Sequence, residues 1–234
     1  MIAAEKLFAR NLLFWGAARQ QQLADACVLV AGVGGLGSTV TEILVRAGVG
    51  KLILIDSGII DEPDLNRQIL YTQADLGKRK VEVAAEKLTA IHGRTTIIPI
   101  NRRLEADAPL FETLWQYDFH GIADCFDNFR SRLVLEQLLK DDLFLVHGGV
   151  QNDYGQITTI KKNVTRLLKD LYANIEDGTS PLPVCPQIVC TIAALMAHEV
   201  MQNLWRTPQL LNTLLIVELS DFSFSKIQLQ GAAA

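Results

Sequence analysis

Residues 27–37 read Cys27-Val28-Leu29-Val30-Ala31-Gly32-Val33-Gly34-Gly35-Leu36-Gly37. The first five form an unbroken apolar run closed by a glycine, as expected of a strand buried on both faces of a parallel sheet. Gly32, Gly34, Gly35 and Gly37 then allow a tight turn, and residues 36–47 carry helical periodicity. A second buried strand follows at 51–56, again apolar until Asp56.

Outward from this unit the alternation continues. Spacing predicts a helix over 78–92, an extended run at 95–100, a helix over 107–117, an extended run at 119–125, a helix over 129–141 and an extended run at 143–146. Buried strands alternating with helices imply an α/β fold, a Rossmann-like, mostly parallel sheet with helices on both faces. After Gly148-Gly149 the pattern changes. Residues 155–160 read as a strand with no crossover helix behind it. Residues 161–186, with Pro181, Pro183 and Pro186, read as an irregular and mobile loop. A long helix over 188–205 comes next. Two β-like runs, 213–219 and 222–229, flank a turn at Ser220-Asp221 and predict a C-terminal antiparallel extension. The expected organisation is a single domain over 1–234. It comprises a helical segment (1–26), a Rossmann-like core (27–150) and the antiparallel extension (151–234, with the loop at about 161–186). Gly231-Ala232-Ala233-Ala234 reads as a frayed tail.

Composition narrows the function classes. The chain has 234 residues, 49 % hydrophobic and 21 % charged, with a net charge of −4, which suits a globular domain and argues against disorder. Basic residues form no dominant stripe, so no nucleic-acid partner is expected. The opening MIAAEKLFARNLLFW carries charge early and lacks a signal-peptide form. No apolar run reaches the roughly 18 residues of a membrane span. Of the four cysteines, Cys27 and Cys125 sit inside apolar strands, where buried free thiols are the ordinary case. A reducing cytoplasm is the expected location.

The glycine turn lies where backbone N–H groups and a helix N-terminus can receive phosphate. Asp56, about 20 residues on at the end of the next strand, stands where a carboxylate can accept from ribose hydroxyls. These two features alone point to a nucleotide, with NAD or FAD as the default. Three further stretches change the reading: Asp64-Leu65-Asn66-Arg67-Gln68, then Gly77-Lys78-Arg79-Lys80, then Asp124-Cys125-Phe126-Asp127-Asn128 with Ser131-Arg132 behind it. All fall at the carboxyl edge of the predicted sheet, where open α/β sheets bind ligands. Hydride transfer has no need of clustered cations and acids. Adenylyl transfer does, because charge builds on the departing pyrophosphate and is neutralised by Arg, Lys and Mg²⁺. Asp127 is the carboxylate suited to hold that Mg²⁺, together with waters.

The linked set GxGGLGS, NRQ, GKxK and DxxDN with SR resembles the HesA/MoeB/ThiF family, relatives of the adenylating half of ubiquitin-activating enzymes. The resemblance runs from about residue 7 to 160 and more weakly through 188–229. It implies ATP and Mg²⁺ as cofactors and, as substrate, the C-terminal glycine of a ubiquitin-like or sulfur-carrier protein ending in Gly-Gly. It further implies that Gly34 with its neighbours Gly32, Gly35 and Gly37 approaches the phosphates and that Asp56 holds the ribose. Arg67 and Lys80 would bind the triphosphate, Asp64, Gln68 and Asn128 would complete the nucleotide site, and Asp127 would carry Mg²⁺. Arg10 would reach into the site of a second subunit, making a homodimer functional.

This chain departs from the family pattern. Asp64 replaces the usual Asn, placing a like charge beside a triphosphate, and Phe126 replaces the usual Thr. Leu167 and Asp170 stand where relatives place a zinc-binding cysteine pair, so no structural zinc is expected. Cys185, in the Pro-rich stretch, and Cys190, near a helix start, are the candidate acceptor thiols. His147 and His198 read as structural. Two alternative functions remain open: adenylation of a small-molecule or tRNA-linked carboxylate, and a non-catalytic nucleotide-binding subunit.

Overall fold

A computed structural model describes residues 3–173 and 182–232. In chain order it contains α1 (Ala4–Leu7), α2 (Ala9–Ala24), β1 (Cys27–Ala31), α3 (Gly35–Ala47), β2 (Lys51–Ile55), α4 (Lys80–His92) and β3 (Thr96–Ile100). Then follow α5 (Ala108–Trp115), β4 (Gly121–Asp124), α6 (Phe129–Glu136), β5 (Phe144–Gln151), β6 (Tyr154–Lys161), α7 (Leu168–Leu171), α8 (Pro186–Leu204), β7 (Thr213–Glu218) and β8 (Ser223–Gln228). Two 3₁₀ turns, Glu62–Asn66 and Gln73–Asp75, lie between β2 and α4. Among the described residues no helix is long and apolar enough to cross a membrane.

All eight strands join one sheet in the order β3-β2-β1-β4-β5-β6-β7-β8. Pairs from β3 to β5 are parallel and pairs from β5 to β8 antiparallel. The strand order reverses between β1 and β4, so their carboxyl ends frame the crevice where such sheets bind ligands. Alternating side chains bury both faces. Val28 and Val30 of β1 and Leu52 and Leu54 of β2 pack with α3, α4 and α8; Leu29, Ile53 and Ile55 pack with α5, α6 and α7. Pro99 lies in the edge strand β3, where a missing N–H costs no central ladder bond. The Rossmann-like sheet with an antiparallel extension is therefore the observed fold.

Several boundaries differ from the sequence expectation. The helix expected over 129–141 stops at Glu136, whose buried carboxylate accepts from the Leu168 N–H, capping α7. Leu168 is fully buried in the core and Leu168–Leu171 is helical, so 161–173 is not irregular throughout. Residues 174–181 of the expected mobile loop lie outside the described residues. Beyond them, the Pro183 carbonyl accepts from Asn152 N at 2.7 Å. The expected frayed tail is partly held: Gly231 bridges Thr165, and Ala232 N donates to the Val164 carbonyl at 3.4 Å. Within α2, Gly16 at φ +77° breaks the helix in two.

Candidate active site

The glycine turn is shaped by what surrounds it. Gly32 has φ +89°, and a Cβ there would lie 2.9 Å from the Cys125 carbonyl oxygen. Strand ends β1 and β4 therefore touch through backbone. A Cβ on Gly37 would fall 1.9 Å from the Gly32 carbonyl oxygen, so only glycine lets α3 begin against its own turn. Helix α3 starts at Gly34 without a side-chain cap. Its first-turn N–H groups are left for a ligand at the sheet edge.

Three segments converge on that turn. Gln68 Nε2 lies 3.6 Å, and Arg67 Cγ 3.8 Å, from the Cβ positions of Gly34 and Gly35 respectively. Gln68 is buried, and its Oε1 has no hydrogen-bond partner, an orphan acceptor aimed into the site region. Asp56 accepts from Val33 N (2.9 Å) and Gly58 N (2.6 Å), bracing the glycine turn against the loop after β2. Gly58 is squeezed between Asp56 Oδ1 and the Lys80 stem, at 2.9 and 3.2 Å from its Cβ position.

Asp64 is the hub. It accepts from Gln68 Nε2 (2.5 Å) and Asp61 N (3.1 Å), and pairs with Lys80 Nζ (3.0 Å) and Arg67 Nη2 (3.7 Å). The 3₁₀ turn holds it there through an Asp61–Asp64 capping box. Arg67 is further fixed by the carbonyl of Pro63 (2.7 Å) and Asn66 Oδ1 (2.8 Å). Of the three adjacent basic residues, Lys78 and Arg79 point outward to Asp75 and Glu82, while Lys80 points in. The site thus gathers two cations, the carboxylates of Asp56 and Asp64 and an uncapped helix start.

Behind β4, Asn128 Oδ1 accepts from Ser131 N at 2.9 Å and starts α6. Among the described residues Asp127 takes only the Asn128 amide, at 3.2 Å, and it is exposed, which leaves its carboxylate fit to hold a divalent cation. The neighbouring Phe126 ring lies 3.2 Å from the Gly32 Cβ position, so this loop borders the glycine turn. Among the described residues no three His, Cys, Asp or Glu converge to hold a metal. A cation on Asp127 would take its remaining ligands from phosphate and water.

The sequence reading missed a buried relay beneath Asp127. Arg132 donates twice to the Phe126 carbonyl (2.7 and 3.2 Å), once to Gly148 O (3.2 Å), and lies 3.8 Å from Asp124. Asp124 is fully buried and meets His147 Nδ1 at 2.7 Å. Gln156 Nε2 donates to the Tyr172 oxygen (2.5 Å), which leaves the Tyr172 proton for His147 Nε2 (3.0 Å). His147 then presents Nδ1–H to Asp124, and every donor in the chain points toward that carboxylate. Burial holds His147 below its ordinary value of 6.5, against the pull of Asp124, and pushes Tyr172 up to about 12.

A prediction arises here. The unfolded chain protonates His147 near pH 6.5, whereas the folded chain resists it until lower pH. Stability therefore rises with pH across that window and is lost as pH falls below about 6.5. His147→Gln should flatten this slope between pH 7 and 5. Equal slopes in melting temperature for both proteins would count against the assignment.

Tyr71 was also missed. Its hydroxyl reaches the Val33 carbonyl (2.7 Å) and Lys80 carbonyl (3.3 Å), sharing one proton between the glycine turn and α4. Burial, then Asp56, Asp64 and Asp75, push its pKa far up, so it remains a donor. Only its place soon after Arg67-Gln68 signals it in the sequence.

Other expected residues stand elsewhere. Arg10 is exposed on α2, two residues after Phe8, which packs at Gly48 and His92 beside the amino ends of the strands. It is not brought to its own chain's site. Cys185 is half-buried at the start of α8, its Sγ 3.4 Å from the Asn152 carbonyl; Cys190 faces Thr39 at 4.0 Å. Val189 between them touches the Gly35 Cβ position at 3.1 Å. Burial pushes Cys27 up to about 11 and Cys125 well above its ordinary value, as suits structural thiols. His198 is exposed and contacts Gln202.

The chain is similar to known proteins in sequence and in fold. A "probable molybdopterin-synthase adenylyltransferase" of Porphyra purpurea is 31 % identical over 191 residues, covering 77 % of this chain and 49 % of that protein. The molybdopterin-synthase adenylyltransferase of Salmonella typhimurium is 34 % identical over 190 residues, covering 79 % of this chain and 75 % of that protein. The chain thus spans about half the length of the first relative and three-quarters of the second. The crystal structure of E. coli MccB with MccA-N7isoASN superposes with a TM-score of 0.84 at 21 % identity, over 99 % of this chain and 73 % of that one, a likeness of fold. The ThiF family model matches residues 8–233, nearly the whole sequence, and by that match the chain belongs to the ThiF family.

Proposed function

We propose that this protein is an ATP-dependent adenylyltransferase that activates the C-terminal glycine carboxylate of a ubiquitin-like or sulfur-carrier protein. The observation that carries the reading is the pairing of Lys80 and Arg67 on Asp64, beside the uncapped start of α3. Two cations at a phosphate-receiving helix end suit displacement of pyrophosphate. A carboxylate oxygen of the carrier bonds to the α-phosphorus, the bond to the β-phosphate oxygen breaks, and pyrophosphate leaves with that electron pair. Lys80 and Arg67 neutralise the departing charge, and the α3 amides hold the phosphates. Asp56 accepts from the ribose with the lone pairs its two backbone bonds leave. Asp127 would hold Mg²⁺, which would supply Lewis-acid neutralisation of the phosphate oxygens. The active form is a homodimer to which Arg10 of each subunit contributes, in a reducing cytoplasm.

The relatives named adenylyltransferases support the chemistry; the Gly-Gly carrier is the proposal's own extension. The test is ATP–pyrophosphate exchange with and without candidate carriers ending in Gly-Gly. Carrier-dependent exchange is expected. Exchange driven instead by a small carboxylate would redirect the substrate, and ATP binding without exchange would make the protein a nucleotide-binding subunit.

A further inference from the structure

We propose that Asp64 is a built-in counter-ion of the phosphate site. It competes with the triphosphate for Lys80 and Arg67 and takes them back as pyrophosphate departs. This rests on the adenylation reading above and concerns how tightly the same site grips polyphosphate.

Three observations carry it. The Asp64 carboxylate lies 3.0 Å from Lys80 and 3.7 Å from Arg67, with its side chain only 13 % exposed. It is held in place by the Asp61 N–H and Gln68 Nε2, so it cannot swing away when a polyanion arrives. Arg67 borders the glycine turn through its stem at Gly35, and Lys80 lies through its stem at Gly58, which Asp56 ties to the Val33 N–H of that turn. The ligand therefore meets one net positive charge where an asparagine at position 64 would leave two.

Removing the charge has two opposing effects. Lys80 and Arg67 would lose an anchor, which loosens the site. They would also gain full charge toward the ligand. Asparagine is the same size and keeps a carbonyl oxygen for Gln68 or Asp61 N, so the first effect is small. The second acts on a ligand carrying several negative charges at a partly desolvated rim, where one unit charge matters. The charge effect wins.

The experiment compares the full chain with Asp64→Asn. The readouts are calorimetric binding of inorganic pyrophosphate, which needs no turnover, and ATP–pyrophosphate exchange. Both the pyrophosphate dissociation constant and the KM for ATP should fall about tenfold, equivalent to roughly 1.4 kcal/mol. Asp64→Ser, which keeps a short capping group, should follow the same direction if the asparagine variant folds poorly. Unchanged or weaker pyrophosphate binding would overturn the proposal while leaving adenylation intact. A raised Mg²⁺ requirement in Asp64→Asn would also overturn it, because Asp64 would then be a metal ligand. Failure of every protein to bind ATP or pyrophosphate would remove the adenylation reading and this inference together.

Discussion

Asp127→Ala is expected to lower ATP–pyrophosphate exchange about 10³-fold, the scale of removing one well-placed charge-neutralising group. The melting temperature should barely move. The fold makes that separation possible. Asp127 is exposed and, among the described residues, accepts only from the Asn128 amide, while Asn128 itself caps α6. Nothing buried is lost, and a surface change of this kind is usually worth within about 0.5 kcal/mol. Asp127→Asn keeps the shape and loses the charge, so it should resemble alanine in exchange. Either variant retaining exchange within tenfold of the parent would remove Asp127 from the chemistry.

Gly37→Ala should damage folding and nucleotide binding together. A single methyl at this position would lie 1.9 Å from the Gly32 carbonyl oxygen and 2.8 Å from its carbon. Both are backbone atoms, and Gly32 is itself fixed by its N–H to the Ile55 carbonyl (2.8 Å) and by Cys125. Neither side can yield cheaply. Overpacking of this kind costs about 3 kcal/mol or more, or roughly 6–12 °C in melting temperature for a chain of this size. Whatever part of the clash is relieved must come from moving α3 off the turn, which also displaces the phosphate-receiving amides. Calorimetry and nucleotide binding would both report it. A stable variant that still binds ATP would show that the turn has slack which the backbone geometry denies.

The layout of the molecule was open to reading from its residues. Strand–helix alternation placed the parallel sheet because buried strands and amphipathic helices carry distinct apolar periods. The glycine turn, Asp56, Arg67, Lys80 and Asp127 fall at one edge by topology alone; the structure joins Arg67 and Lys80 on Asp64, braces the glycine turn with Asp56, and sets the Asp127 loop at the border of that turn. Asp64 itself was legible only as a like-charge conflict. Its resolution depended on Lys80, sixteen positions away, turning inward while its neighbours Lys78 and Arg79 turned out.

What the chain settled by itself was the order of its elements, because local periodicity and glycine conformational freedom act over a few residues at a time. What only the tertiary structure decided was which side chain took which partner. Asn128 rather than Asp127 caps α6, Tyr71 ties the glycine turn to α4, and Glu136 ends its helix to cap α7. Tyr172, His147 and Asp124 join into one directed relay. Each of these is set by distances between atoms far apart in the chain, where a shift of an ångström makes or removes a hydrogen bond.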